Sequence, residues 1–235
     1  RLQAGYTFEV ETRPPRLAYR ETIAQGAAAQ YRHKKQSGGA GQFGEVHLRV
    51  EPLPRGAGFE FVDQVKGGAI PGQFMPAVEK GVREALAEGV IAGYPVQDIR
   101  VIVHDGKSHA VDSKEVAFVT AGKKAAQAAI REAAPTVLEP VARLTITVPD
   151  GATGAVTGDL SSRRGLVSGT DTPRPGQVAI TAQVPMAELL DYQNRLNALT
   201  AGQGAYTLAL SHYEAVPPQV QQQLAGQYRA KEEQE

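Results

Sequence analysis

Ser37-Gly-Gly-Ala-Gly-Gln-Phe-Gly-Glu-Val-His-Leu-Arg-Val50 places a run of glycines directly before an alternating apolar segment. Within it, Gly39 to Val46 matches GxGxxGxV, a pattern shared by two nucleotide-binding loops. A dinucleotide fingerprint follows a strand and opens a helix, so that the pyrophosphate meets a helix N-terminus. Here Val46, Leu48 and Val50 alternate, so the glycines lead into a strand and that reading fails. A kinase glycine-rich loop does lie between strands, but the chain has no HRD loop, no DFG and no lysine in a VAIK context. The glycines therefore read as a flexible loop in a strand-rich domain, preceded by the basic stretch Tyr31-Arg-His-Lys-Lys35.

Working outward, Phe59 and Phe61 alternate after a Pro/Gly-rich turn from Pro52 to Gly58, which predicts a hairpin with the Val46–Val50 strand. Phe74, Val78, Val82, Ala85, Leu86 and Val90 fall on one helical stripe. Ile99, Val101 and Val103 return to period two, and His104-Asp-Gly106 is expected to turn the chain. Asp112 with Glu115 reads as a capping box opening an alanine-rich helix to about Ala133. Val137–Val141 predicts another strand. Upstream, residues 1–24 form a short lead-in, with Thr12-Arg-Pro-Pro-Arg16 extended.

The second half reads strand (Leu144, Ile146, Val148), helix (Ala152, Val156, Leu160), strand (Leu166–Gly169), strand (Val178, Ile180, Ala182, Val184), helix and strand (Tyr206, Leu208, Leu210). Pro185 is placed in the first turn of the second helix. This order, βαββαβ, is the ferredoxin-like arrangement. A last helix follows Pro217-Pro218, with Val220, Leu224 and Tyr228 on one face. The fold class is α+β in two α/β-layered domains plus a C-terminal helix, with the boundary near Arg143.

A chain of 235 residues suits two domains of about 100–150 residues each. Lys plus Arg and Asp plus Glu both number 25, so gross polyelectrolyte binding is excluded while a local basic face is not. Cysteine is absent, which removes disulfides, thiolate nucleophiles and cysteine-ligated zinc. No apolar run approaches the roughly 18 residues of a membrane span. The sequence starts at Arg1 with neither an initiator Met nor a signal-peptide stretch, which points to a piece of a longer protein.

Enzymatic signatures are missing. There is no GxxxxGK[ST] P-loop and no GxSxG elbow, and His33, His47, His104, His109 and His212 show no paired metal spacing. Asp150 and Asp159 read as helix-end or surface carboxylates. No catalytic or metal-binding residue is assigned. What remains are loops rich in glycine and cations: Arg32, Lys34 and Lys35 before Ser37-Gly-Gly, Lys107 and His109 on a turn, and Arg163-Arg164-Gly165 closing a helix. Such loops suit RNA, since cations meet phosphates and small polar groups reach 2′-hydroxyls and bases.

The chain resembles the elongation factor G family of translational GTPases from about Leu17 to Leu224. The stretches that carry the resemblance are Ala18-Tyr-Arg-Glu-Thr-Ile23, Gly38–Gly44, Val50–Phe61, Gly67-Gly-Ala-Ile-Pro71, Pro76–Gly81, His104-Asp-Gly106 and Val111-Asp-Ser113. In the second half they are Gly158-Asp-Leu-Ser-Ser-Arg-Arg-Gly165, Val184–Glu188 and His212-Tyr-Glu-Ala-Val-Pro217. The resemblance implies the tail of domain III at 1–18 and an elongated domain IV at 19–142 with a left-handed βαβ crossover. It further implies a ferredoxin-like domain V at 143–214 and a helix and tail at 215–235 that pack back toward domain IV.

By the same resemblance, two loops form a tip that enters the decoding centre of the small ribosomal subunit, against the codon–anticodon helix. Ser37, Gly38, Gly39, Ala40, Gly41, Gln42 and Phe43 match the first loop. The segment His104–Asp112, with Lys107 and His109, matches the second. Gln42 would hydrogen-bond in the RNA minor groove, Lys107 and His109 would contact phosphate or ribose, and the glycines would let backbone approach RNA. Arg163, Arg164 and Gln203 are candidate contacts to large-subunit rRNA. Partners implied are the ribosome, tRNA and mRNA, for a cytoplasmic monomer that does not engage membranes. No cofactor belongs to this chain; GTP and Mg²⁺ belong to the GTPase domain of a longer parent. Two positions depart from the family pattern: Ala40 and Gln203 stand where Arg is commoner. Three functions stay open: a translocation factor, a paralogue acting in ribosome recycling or ribosomal protection, and a stand-alone RNA-binding module.

Overall fold

The computed structural model describes residues 17–36 and 41–232. The stretch Thr12–Arg16, read as extended, lies outside the described residues. The chain divides into two compact units: Tyr19–Leu138 with the C-terminal segment from Glu214, and Glu139–Tyr213.

The first unit runs β1 (Arg20–Ile23), β2 (Ala27–Lys35), β3 (Gln42–Pro52), β4 (Phe59–Asp63), α1 (Met75–Glu88), β5 (Ile99–Lys107) and α2 (Glu115–Glu132). Its four-stranded sheet has the order β2-β3-β5-β4. The alternating residues of β3 (Val46, Leu48, Val50) and β5 (Ile99, Val101, Val103) turn one face to the helices and are fully buried. The hairpin expected between β3 and β4 does not form. The β5 strand inserts between them, antiparallel to β3 and parallel to β4, so β4-α1-β5 is a crossover unit. Alternation marks both strands but is silent about which strand lies beside which.

Three local readings also change. Tyr31–Lys35 lies in a strand, not a loop, and pairs with Gln42–Val46. His104-Asp-Gly106 does not turn the chain but continues β5, where a bulge between His47 and Leu48 absorbs one extra residue. Lys114, not Asp112, precedes α2, and no side chain caps that helix.

Helices α1 and α2 cross closely because small residues meet. A β-carbon added at Gly81 would lie 2.0 Å from the Val119 carbonyl oxygen, and one at Gly122 would lie 2.7 Å from that of Val78. The alanine stripe of α2 (Ala117, Ala121, Ala125, Ala129) is fully buried. At the start of α1, the Phe74 ring stacks on Phe118 at 4.8 Å between centroids.

Glu21 of β1 is fully buried. Its Oε2 accepts the N–H groups of Val90 (2.7 Å) and Ile91 (3.1 Å), and its Oε1 those of Ala92 (2.8 Å) and Tyr94 (3.1 Å). These donors sit in the loop from α1 to β5. Gly89 enters that loop at φ 78°, where an added β-carbon would press on Tyr94 backbone at 2.4 Å.

The long strand β6 (Pro135–Pro149) gives its first four residues to β1. Expected as two strands, Val137–Val141 and Leu144–Val148, it is one. The second unit continues with α3 (Thr153–Ser162), β7 (Leu166–Arg174), β8 (Gln177–Pro185), α4 (Tyr192–Thr200) and β9 (Ala205–Ala215). The pairings β9-β6-β8-β7 give the ferredoxin-like arrangement read from the strand order. Leu144, Ile146, Val156, Leu160, Ile180, Tyr192 and Leu196 form its core. Pro185 does not open α4. It ends β8 before a 3₁₀ turn, and the helix starts at Tyr192. Asp159 is not a surface carboxylate: it is 8% exposed and accepts Nε–H groups of Arg163 (2.9 Å) and Arg195 (2.7 Å). Burial alone would raise its carboxyl, but the two guanidiniums outweigh that and hold it below the usual range.

The last helix, α5 (Pro218–Glu232), belongs to the first unit. Val220 and Leu224 pack with Ile91, Ala92, Tyr94 and Val137, and Gln221 accepts the Val137 N–H at 3.1 Å. Among the described residues, no helix is long and apolar enough to cross a membrane.

The packing sets the expected cost of two substitutions. Glu21→Gln replaces an acceptor oxygen with an NH₂ group facing two N–H donors, so the urea midpoint should fall by the equivalent of about 3 kcal/mol or more. Glu79, half-buried and paired with the exposed Arg83, should cost under about 1 kcal/mol when changed the same way. Gly81→Ala should destabilise, because overpacking against backbone (about 1–3 kcal/mol) exceeds the roughly 1 kcal/mol gained in helix propensity. Gly226→Ala, with nothing within 4 Å of the new carbon, should stabilise by up to about 1 kcal/mol in the same assay.

Candidate RNA-facing tip of the first unit

One end of the four-stranded sheet gathers two loops. The first closes the β2–β3 hairpin, whose last paired residues are Lys35 and Gln42. Ser37, Gly38, Gly39 and Ala40 of this loop lie outside the described residues. The second loop joins β5 to α2 and carries Ser108 to Lys114. Sequence separation between the loops is about 70 residues, yet they are bonded: the Phe43 N–H donates to the Asp112 carbonyl at 2.9 Å, and Phe43 bridges Ser113 in parallel. The Phe43 and His109 rings lie 6.2 Å apart. A recess of about 140 Å³ between the loops is lined by Lys34, Lys35, Gln42, Phe43, His109 and Asp112.

The structure thus brings together Gly41, Gln42, Phe43 and His109, four residues expected at the tip. His109 holds its own loop: its N–H donates to Ser113 Oγ at 2.7 Å, and its Nδ1 lies 3.4 Å from the N–H groups of Val111 and Asp112. The Gln42 Oε1 lies 3.1 Å from His33 Nε2 on the neighbouring strand. An amide oxygen only accepts, so this contact requires the tautomer with hydrogen on His33 Nε2, and the Gln42 NH₂ takes no part in it. No sequence signal ties His33 to the tip; only the strand register brings it to Gln42.

Gly41 has a packing reason as well as any role in approaching RNA. A β-carbon there would meet the Asp112 carboxylate, 2.7 Å from Oδ1 and 2.8 Å from Cγ. Gly44 is likewise pressed by α2, where an added carbon would lie 3.1 Å from Ala117 backbone.

The charge behind the tip is sorted by pairing. Lys107 ends β5 opposite Glu45. Glu45 is 5% exposed and bonds Arg32 and His47, the latter at 2.8 Å. Burial works to raise the Glu45 carboxyl. The hydrogen bonds from Arg32 and His47, with the charges of Arg32 and Lys107, outweigh it and keep the group ionised below the usual carboxylate range. Arg32 is therefore paired with a carboxylate, although its side chain stays exposed, while Lys34 and Lys35 line the recess.

In the second unit the candidate arginines are committed to carboxylates. Arg163 donates to Asp159 and Asp191 and lies over the Tyr192 ring at 5.5 Å. Arg164, at φ 58°, grips Glu139 with two bonds of 2.6 and 3.0 Å and reaches Glu188 at 3.0 Å. Those pairs push its guanidinium further up from a range that is already high. Gln203 is exposed in the turn after α4, its N–H donating to the Thr200 carbonyl at 3.1 Å.

Comparison with known proteins agrees with this architecture. The family description "Elongation factor G, domain IV" matches residues 15–134, and "Elongation factor G C-terminus" matches residues 136–224. An elongation factor G-like protein of Thermotoga maritima is 45% identical over 229 residues, covering 97% of this chain and 34% of the relative. The elongation factor G of Aquifex pyrophilus is 42% identical over 230 residues, covering 98% of this chain and 33% of the relative. A crystal structure of a protein from Thermus thermophilus superposes with a TM-score of 0.84 at 40% identity, covering 94% of this chain and 33% of that one. The chain spans about a third of the length of these relatives. On these matches, and on the architecture that goes with them, the chain belongs to the elongation factor G family.

Proposed function

We propose that this chain is the ribosome-engaging C-terminal module of a translational GTPase, and that its two-loop tip enters the A site of the decoding centre during tRNA and mRNA translocation. One observation carries the reading: the Gln42-Phe43 pair and His109, distant in sequence, meet at one end of a domain matching domain IV of the family. Gln42 offers amide donors of the kind a minor groove accepts, and Lys34, Lys35 and Lys107 supply the cations that phosphates require. The module works mechanically, its tip occupying the A site and blocking back-slippage of tRNA. The chain has no P-loop, and its glycine run leads into β3 rather than a helix, so it does not fit a nucleotide site. GTP and Mg²⁺ chemistry is assigned to the GTPase domain of the parent. The parent acts as a monomer on cytoplasmic ribosomes.

Arg163 and Arg164 carry less of this proposal than their sequence suggests, since both hold internal carboxylates. Ala40, in place of the commoner Arg, favours a second reading: a paralogue acting in recycling or ribosomal protection. Each missing cation lowers the slope of binding against salt by about 0.7–0.9.

A toeprint with the full-length parent, GTP and pre-translocation ribosomes separates the two readings. A one-codon movement of mRNA is the expected result; GTP hydrolysis without movement would favour the paralogue. In the translocating case, His109→Ala should slow movement about tenfold or more, the loss of one hydrogen bond to a charged group, while ribosome-stimulated GTP hydrolysis continues. Equal loss of hydrolysis would remove His109 from the tip role.

A further inference from the structure

Asp112 is the unexpected group at the tip. It is the carboxylate in a recess that it shares with Lys34, Lys35, Gln42, Phe43 and His109, and a surface that approaches a polyanion gains nothing electrostatically from a carboxylate. Yet Asp112 touches both loops. Its carbonyl accepts the Phe43 N–H at 2.9 Å, its Oδ2 lies 3.3 Å from His109 Nδ1, and its carboxylate fills the space above Gly41. Its side chain is 30% exposed, too covered for a solvated surface charge.

We propose that Asp112 is a positioning residue that locks the two loops into one unit, with Gly41 as the socket for its carboxylate and His109 as the side chain it orients. The proposal rests on the reading of the tip as the RNA-facing end. Three groups converge on His109 Nδ1: two backbone N–H groups at 3.4 Å and the carboxylate at 3.3 Å. A bare Nδ1 accepts the amides, whereas a carboxylate at this distance favours the form with hydrogen on Nδ1. Nδ1 serves one or the other, and the latch takes the form with hydrogen on Nδ1, in which Asp112 holds the ring by that nitrogen and leaves Nε2 for a partner.

The socket makes Gly41 part of the same device. A methyl at position 41 meets the end of a short, rotatable side chain rather than fixed backbone, so the carboxylate swings away. His109 then loses its orienting contact although nothing at His109 has changed. Removing the carboxylate removes the same orienting contact, so Asp112→Ala should add nothing to Gly41→Ala.

Two measurements test this. In the 235-residue chain, ¹⁵N NMR of the imidazoles should show the His109 Nδ1 resonance moving in both Asp112→Ala and Gly41→Ala, with His212 unmoved. In toeprints with the full-length parent, Gly41→Ala and Asp112→Ala should each slow mRNA movement. Gly41→Ala/Asp112→Ala should be no slower than the slower single variant, at least about twofold faster than the product of the two single effects, the low end of coupling between touching residues. A His109 resonance indifferent to Asp112→Ala would overturn the latch whatever the ribosome does, and so would two slowing effects that simply multiply. A resonance that moves in both variants while neither alters movement would keep the latch and reject the reading of the tip as the translocating end.

Discussion

A single carboxylate organises the first unit. Glu21 enters the interior on β1 and meets four backbone N–H groups of the loop between α1 and β5. A buried charge is tolerated only when its hydrogen-bonding capacity is filled, and a loop turned inward is tolerated only when its amides find acceptors. Each solves the other's problem. The loop so fixed delivers the chain to β5 through the bonds Glu21 N–H to Pro95 O and Gln97 N–H to Glu21 O, both 2.9 Å. It also presents Ile91, Ala92 and Tyr94 as the surface on which α5 packs. The position of β5 between β3 and β4, and with it the start of the second tip loop, depends on this anchor.

At the tip, glycine has two meanings that composition cannot separate. The run from Gly38 reads as backbone freed to approach RNA. In three dimensions Gly41 makes room for Asp112, and Gly44 makes room for the first turn of α2. Both are demands of close approach between parts of this chain. Asp112 illustrates the converse. Read along the sequence, it pairs with Glu115 as a capping box. In the fold it faces the neighbouring loop, because β3 passes beside it and offers the Phe43 N–H and an open glycine.

Charge is equally a matter of partners. Arg32, Arg163 and Arg164 look like RNA-binding cations in sequence, but Glu45, Asp159, Glu139 and Glu188 reach them across strands and turns. Lys34, Lys35 and Lys107 keep the flexible, hydrated ammonium groups suited to phosphate. The buried Asp159 reads as a surface carboxylate because nothing near it in sequence reveals that Arg195 stands against it.

Read alone, the chain of residues settles the secondary elements with strong periodicity, the βαββαβ order of the second unit, the absence of a P-loop and the family resemblance. Periodicity and spacing are local, and burial of one face enforces them wherever the strand or helix ends up. Four further features appear only in the folded molecule. The β5 strand separates β3 from β4, His33 reaches Gln42, Glu21 anchors a loop about 70 residues away, and Asp112 joins the two tip loops. Each of these is a contact between distant segments, set by sheet order and register, and neither propensity nor motif encodes which distant partner a side chain will meet.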